Sequence, residues 1–224
     1  MLKSGKTMTL EHDSFLRPSL FILCLTALAV LAFSFVSAPA QVYYEYPGAP
    51  VVQENQPAAG PYIAVGDNLF RTGGFARFNI VRDMDLGLEV VFDRIHSDWF
   101  AGAAGDVKYA IIPANVKLPF DWSLNAGLGF TTGSSITTIT IPLGTLVSRP
   151  LQLSGGSVLT PYGGLYVLII NTSIDVAGRN VSDTSTDVEL RGGIKLDIRE
   201  RVGAFTTLHL GSGNKFYIGF NFKM

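Results

Sequence analysis

The chain has 224 residues, 16% of them charged, and a net charge of −1 at neutral pH. That length fits one domain with modest extensions, and the charged share lies well below the roughly one quarter usual in soluble proteins. A nearly neutral chain offers polyanions no basic surface, which excludes nucleic acid as a partner.

Lys3, Lys6 and Arg17 precede the apolar run LFILCLTALAVLAFSFV at 20–36, and SAPAQ follows it. Ala38 and Ala40 place small side chains where a signal peptidase reads them, so residues 1–40 are expected to be a signal peptide cleaved before Gln41. The run is long for a leader and follows Glu11, His12 and Asp13. An uncleaved anchor is the alternative, because the run nearly spans a hydrocarbon layer of about 30 Å. Leu23 ahead of Cys24 departs from a lipoprotein pattern. Cys24 is the only cysteine and lies in the leader, so a scaffold held by disulfides is excluded.

Residues 41–60 carry Pro47, Pro50 and Pro57 without a usable period and read as a linker. Period two dominates the rest. FARFNIV (75–81) sets Ala76, Phe78 and Ile80 against Arg77 and Asn79, and RDMD then reverses the chain. LGLEVVFD (86–93), DVKYAII (106–112) and DWSLNAGLGFT (121–131) alternate in the same way. TITIPLGTLVS (138–148) points Ile139, Ile141, Leu143 and Val147 outward, while its Pro142 argues for a bulge or against a central strand. LTPYGGLYVLII (159–170) is apolar on both faces towards its end, which leaves its register open. In DVELRGGIKLDI (187–198), Val188, Leu190, Ile194, Leu196 and Ile198 share one face, and the other carries Asp187, Glu189, Arg191, Lys195 and Asp197. A strand separates these groups completely, whereas a helix scatters them. VGAFTTLHL (202–210) and KFYIGFNF (215–222) complete ten candidate strands. They lie near 61–70, 74–82, 84–94, 104–112, 118–131, 135–148, 157–171, 185–198, 201–211 and 214–223. The first is the weakest, so eight strands also fit.

Two closed all-β architectures share this pattern: a soluble lipocalin-like barrel with its apolar face inside, and a transmembrane barrel with that face in lipid. Strands of about 9–11 residues suit a tilted bilayer span. Glycines at 87, 127, 129, 144, 163, 193, 203 and 219 keep the polar face small, as the inside of a narrow barrel requires. Phe216, Ile218, Phe220 and Phe222 resemble the C-terminal assembly signal of bacterial outer-membrane barrels, although Lys223 and Met224 follow the last aromatic. Together with the leader, residues 61–224 resemble the small OmpA/OmpX-like outer-membrane proteins. That resemblance implies a closed, antiparallel, up-and-down transmembrane barrel in the bacterial outer membrane with an even strand number. Both termini, including the linker 41–60, would lie in the periplasm, and the longer segments near 95–103 and 171–185 outside the cell. It also implies outer-membrane lipids and the barrel assembly machinery as partners, and no cofactor.

The inward face is then expected to carry Arg77, Glu89, Asp93, Asp106, Lys108, Asp121, Asp187, Glu189, Arg191, Lys195 and Asp197. Isolated buried charges are too unfavourable to persist, so these must pair or stay hydrated. The expectation is a salt-bridged lumen, with Arg191 and Lys195 among carboxylates such as Glu89. The role is structural or surface-facing, the loops being available to an extracellular ligand or a host surface. The alternatives are a narrow, porin-like passive pore and a soluble exported barrel binding an apolar ligand. Asp93, His96 and Asp98 in FDRIHSDWF cluster as rim groups of outer-membrane proteases do, and Ser97 beside His96 loosely resembles a lipid A deacylase. Without the deacylase spacing or a second acidic pair, no catalytic role is assigned. His209 lacks a partner with metal-ligand spacing and reads as a structural hydrogen-bonding group, and no metal site is expected. Trp99, Trp122, Tyr109, Tyr162 and Tyr166 suit interfacial aromatic girdles.

Overall fold

The structure is a computed structural model that describes residues 56–112, 118–176, 179–199, 201–211 and 213–224. The expected leader, and the linker up to residue 55, lie outside the described residues.

Alternating sequence produces strand almost throughout. The elements are β1 (Ala58–Gly66), β2 (Leu69–Val81), β3 (Met84–Ile95), β4 (Asp98–Ala110), β5 (Asp121–Gly133) and β6 (Ile136–Ser148). They continue with the two-residue β7 (Leu151–Gln152), then β8 (Val158–Val176), β9 (Arg179–Arg199), β10 (Val202–Leu210) and β11 (Lys215–Lys223). Each long strand pairs antiparallel with its neighbours in sequence, β6 pairs with β8, and β1 pairs with β11. The sheet is therefore a closed, up-and-down barrel of ten strands. β7 extends the β6 side along β8, at Leu151 and Gln152. Closure leaves neither lateral edge of the sheet exposed in the wall.

The two faces are inverted relative to a soluble protein. Leu88, Val90 and Phe92 are exposed, while Asp85, Glu89, Val91 and Asp93 between and beside them are buried. The same alternation holds on β11, where Phe216, Ile218, Phe220 and Phe222 face out and Tyr217, Gly219 and Asn221 face in. An apolar exterior around a charged interior is the arrangement that a bilayer demands. The molecule is a closed transmembrane β-barrel.

Three local expectations are corrected. The stretch 61–70 is not one strand: β1 starts at Ala58 and stops at Gly66, Asp67 and Asn68 turn, and β2 begins at Leu69. Asn68 adopts φ 58°, a left-handed conformation that Asn tolerates. The segment 95–103, and the described residues of 171–185, are not long loops: β8 runs to Val176 and β9 starts at Arg179. His96 and Ser97 form a two-residue turn with His96 at φ 54°, and both flanks continue as strand. Pro142 produces neither a bulge nor an edge. β6 is paired on both sides, with a constant register against β5 from Ala126↔Leu143 to Gly129↔Thr140 and no pairing at Gly127 and Leu128 between. A Cβ on Gly127 would sit 3.2 Å from Cγ of Pro142, so the ring occupies room that this glycine leaves.

Candidate functional site

The chemistry of the barrel lies in its lumen, at three levels. The first is near the end opposite the termini. Arg71 on β2 and Asp93 on β3 face each other in register and make a bidentate pair. Nε donates to Oδ1 at 2.7 Å and Nη2 to Oδ2 at 2.7 Å, with both side chains fully buried. Nη1 of Arg71 reaches Oη of Tyr217 at 3.5 Å, and the Tyr217 ring lies 4.6 Å from that of His209. Nδ1 of His209 is 3.0 Å from Oε1 of Glu189. The same oxygen accepts from Nε of Arg191 at 2.7 Å, and Lys215 Nζ lies 3.9 Å from Oε2. The Arg191 guanidinium then covers the Tyr166 ring at 3.8 Å, a cation–π contact strengthened by its burial. One polar chain thus crosses the lumen from β3 to β8.

The middle level is aromatic. Oη of Tyr62 hydrogen-bonds Glu89, and Phe75 meets Phe205 edge-on at 5.9 Å. Tyr62, Ala64, Phe75, Val91, Phe205 and Tyr217 form one buried cluster, while Leu146, Tyr162, Tyr166, Leu168 and Ile170 form another. Glycines make room for these rings. Tyr62 lies over Gly73 and Tyr166 over Gly144, and a Cβ on Gly193 or Gly219 would come within 2.6 Å of Tyr162 or Phe205. Such aromatic cover on an inward glycine fills the lumen and pins the register of neighbouring strands.

The third level is near the termini. Arg77 donates from Nη1 to Asp85 and from Nη2 to Asp106. Buried Lys108 stands opposite Asp85 in the β3–β4 register. Lys195 Nζ is 3.2 Å from Asp197, whose other oxygen is 3.7 Å from Lys223 Nζ. Between these levels, Asp106, Asn125, Gly127, Pro142, Tyr166 and Arg191 line a small cavity.

Arg77, Glu89, Asp93, Asp106, Lys108, Glu189, Arg191, Lys195 and Asp197 thus all point inward. Asp121 starts β5 and is only partly buried, as is Asp187, which stands beyond the end of β10. The pairing differs from expectation in detail. Arg191 bonds Glu189 two residues away, and Glu89 serves Tyr62. Gly163 faces out and Gly164 in, since the buried residues of β8 are the even-numbered ones from Thr160 to Ile170. The same register takes Tyr162 and Tyr166 out of any girdle and into the lumen, whereas Trp99, Tyr109 and Trp122 are exposed on the outer surface. Asp93, His96 and Asp98 do not converge. Asp93 is held by Arg71 inside the barrel, while His96 is exposed in the turn between β3 and β4.

Sequence reasoning missed Arg71, Asp85 and Lys215. Arg71 fell in the gap expected between the strands 61–70 and 74–82, although its spacing of six from Arg77 puts both on one strand face. Asp85 was assigned to the RDMD reversal, yet only Arg82 and Asp83 turn. Lys215 shares the parity of Tyr217, Gly219 and Asn221, so the polar face of the final strand begins one residue before the aromatic signal.

No protein-family model matches the chain, and no curated protein matches it. Among solved structures it is similar to a bacterial polysaccharide outer membrane secretin, at 13% identity and TM-score 0.44, spanning 70% of this chain and 56% of that one. It is also similar to the COG4313 outer membrane channel from Pseudomonas putida F1, at 10% identity and TM-score 0.44, covering 81% and 100% of the two chains. The N-terminal barrel domain of Pseudomonas aeruginosa OprF aligns at 13% identity and TM-score 0.39, over 76% and 98%. These likenesses concern barrel architecture only.

Proposed function

We propose that this is an outer-membrane barrel whose lumen is filled to stabilise the wall, and which acts by presenting the end opposite its termini at the cell surface. In this reading residues 1–40 direct export and are removed, and the residues from 41 to the start of β1 at Ala58 form a periplasmic linker. The assembly machinery reads the Phe216, Ile218, Phe220 and Phe222 face. The observation that carries the reading is the continuous side-chain chain from Asp93 through Arg71, Tyr217, His209, Glu189 and Arg191 to Tyr166. A wide conducting path needs water where those groups stand, and separating Arg71 from Asp93 to make room would leave buried charge uncompensated. A passive pore is the second reading. A soluble ligand carrier would need its apolar face turned inward, and here that face is outside. Catalysis is not part of the proposal, because Asp93 is committed to Arg71 inside the barrel and does not join His96 and Asp98 at the turn.

Planar-bilayer recording of the purified barrel tests the closed lumen. A flat current trace supports it, and large, stable conductance steps from the unaltered protein move the assignment to a pore. Protease shaving of intact cells tests the orientation. Cleavage confined to the connections β1–β2, β3–β4, β5–β6, β8–β9 and β10–β11 supports it.

A further inference from the structure

The strands do not end level at the rim opposite the termini. β9 begins at Arg179 and pairs with β8 from there to Asp197. It pairs with β10 only from Leu190 to Arg199. Asn180–Val188 therefore rises past the adjacent wall, with one side unpaired among the described residues. Residues 180–186 are exposed. Strand tilt and shear produce stagger of this kind, yet an open edge is normally kept short, bulged or guarded by Lys or Pro. This one has neither Lys nor Pro, and its only guarding charges are the carboxylates Asp183 and Asp187.

The backbone orientation is fixed by one hydrogen bond. The Asp175 N–H donates to the Ser135 carbonyl at 2.9 Å, on the β6 side of β8. Asp175 faces Asn180 in register, so the N–H and C=O of Asn180 point away from β8. Alternation aims those of Ser182, Thr184 and Thr186 the same way. The Val188 carbonyl agrees, since it abuts Gly211 just beyond β10. On this stretch Val181, Asp183, Ser185 and Asp187 share the face continuous with the lumen, and with Arg179 the net charge is −1. Two carboxylates four residues apart thus accompany a row of backbone groups, from Asn180 to Thr186, that no described residue pairs on that side.

Two occupants fit poorly. A second copy in the same membrane would run its β9 in the same direction, bringing carboxylates against carboxylates. Residues 41–55 contain Pro47, Pro50, Glu45 and Glu54 and no basic group. We propose that Asn180–Val188 is a strand-addition site for an extended segment of a partner protein, with basic side chains four residues apart opposite Asp183 and Asp187. Main-chain hydrogen bonds would supply affinity, and the charge spacing would select the partner. The proposal rests on the surface-facing half of the reading above and is independent of the closed lumen.

The test uses the full barrel in detergent, with folding checked by heat-modifiable gel mobility. The probe is a labelled decapeptide of alternating threonine and valine with lysine at its fourth and eighth positions, and its counterpart carries glutamate there. The lysine peptide should bind about tenfold tighter, and hydrogen exchange should slow at the amides of Ser182 and Thr184. Ser182→Pro removes a donor on the open side without touching a bond to β8, and should weaken binding about tenfold. Asp183→Lys with Asp187→Lys should reverse the order of the two peptides. Folded protein that binds neither peptide overturns the proposal. So does equal binding of the two, or an affinity unchanged by Ser182→Pro. Conductance does not enter any of these outcomes.

Discussion

Arg71 and Asp93 face each other across β2 and β3 as a fully buried, two-pronged pair with both contacts at 2.7 Å. A guanidinium so placed is satisfied by geometry, and loses that satisfaction if the acid is removed. Asp93→Ala should destabilise the barrel by about 3–5 kcal/mol, because Arg71 stays buried without its counter-charge. Replacing both, with Arg71→Met and Asp93→Leu, should restore much of the loss, since apolar groups of similar size often do as well as a buried pair. Urea titration read by heat-modifiable mobility measures both. A single variant as stable as the parent would show that water reaches Arg71.

Gly144 and Gly163 lie in adjacent strands and should respond oppositely to a methyl group. A Cβ at Gly144 collides with the Tyr166 ring, whereas one at Gly163 meets only the Arg191 carbonyl at 3.6 Å, an ordinary contact. Gly144→Ala should cost about 1–3 kcal/mol by overpacking, and Gly163→Ala should be close to neutral. Equal effects in the same urea assay would remove the claim that Tyr166 covers Gly144 in the lumen.

Opening the plug should make the barrel conduct. Tyr166 and Arg191 stack at 3.8 Å across one side of the lumen, next to the cavity that Asp106 and Asn125 also line. Tyr166→Ala with Arg191→Ala should give discrete current steps absent from the parent. The current should prefer cations, because the loss of Arg191 leaves the lumen with one more negative charge. The reversal potential in a salt gradient reads the selectivity.

Strand count and the faces of the most regular strands were legible because lipid and lumen impose a period of two on them. DVELRGGIKLDI and KFYIGFNF carry that period without interruption, and their faces were assigned correctly. Turn positions were less legible. Asp67-Asn68 and His96-Ser97 reverse the chain with ordinary polar residues and no glycine, so nothing in composition separates turn from strand. The partners of each charge were illegible for another reason. Arg191 could meet any carboxylate across the lumen, and its choice of Glu189 depends on the register with β8 and β10 that places Tyr166 and His209 beside it.

The sharpest test of the inverted barrel is a pair of neighbouring positions. Val90 and Glu89 occupy the middle of β3; Val90 is 56% exposed and Glu89 is 2% exposed. In water Val90→Arg would be harmless, because an exposed valine gains nothing from being apolar. In a bilayer the same change sets a guanidinium near mid-depth, at about 2–4 kcal/mol. Glu89→Gln keeps an acceptor for the Tyr62 hydroxyl and should cost less than Val90→Arg. Folding yield into lipid vesicles, compared with urea stability of the folded fraction, measures both. If Val90→Arg inserts as well as the parent, then Leu88, Val90 and Phe92 do not face lipid, and the barrel stands in some other solvent.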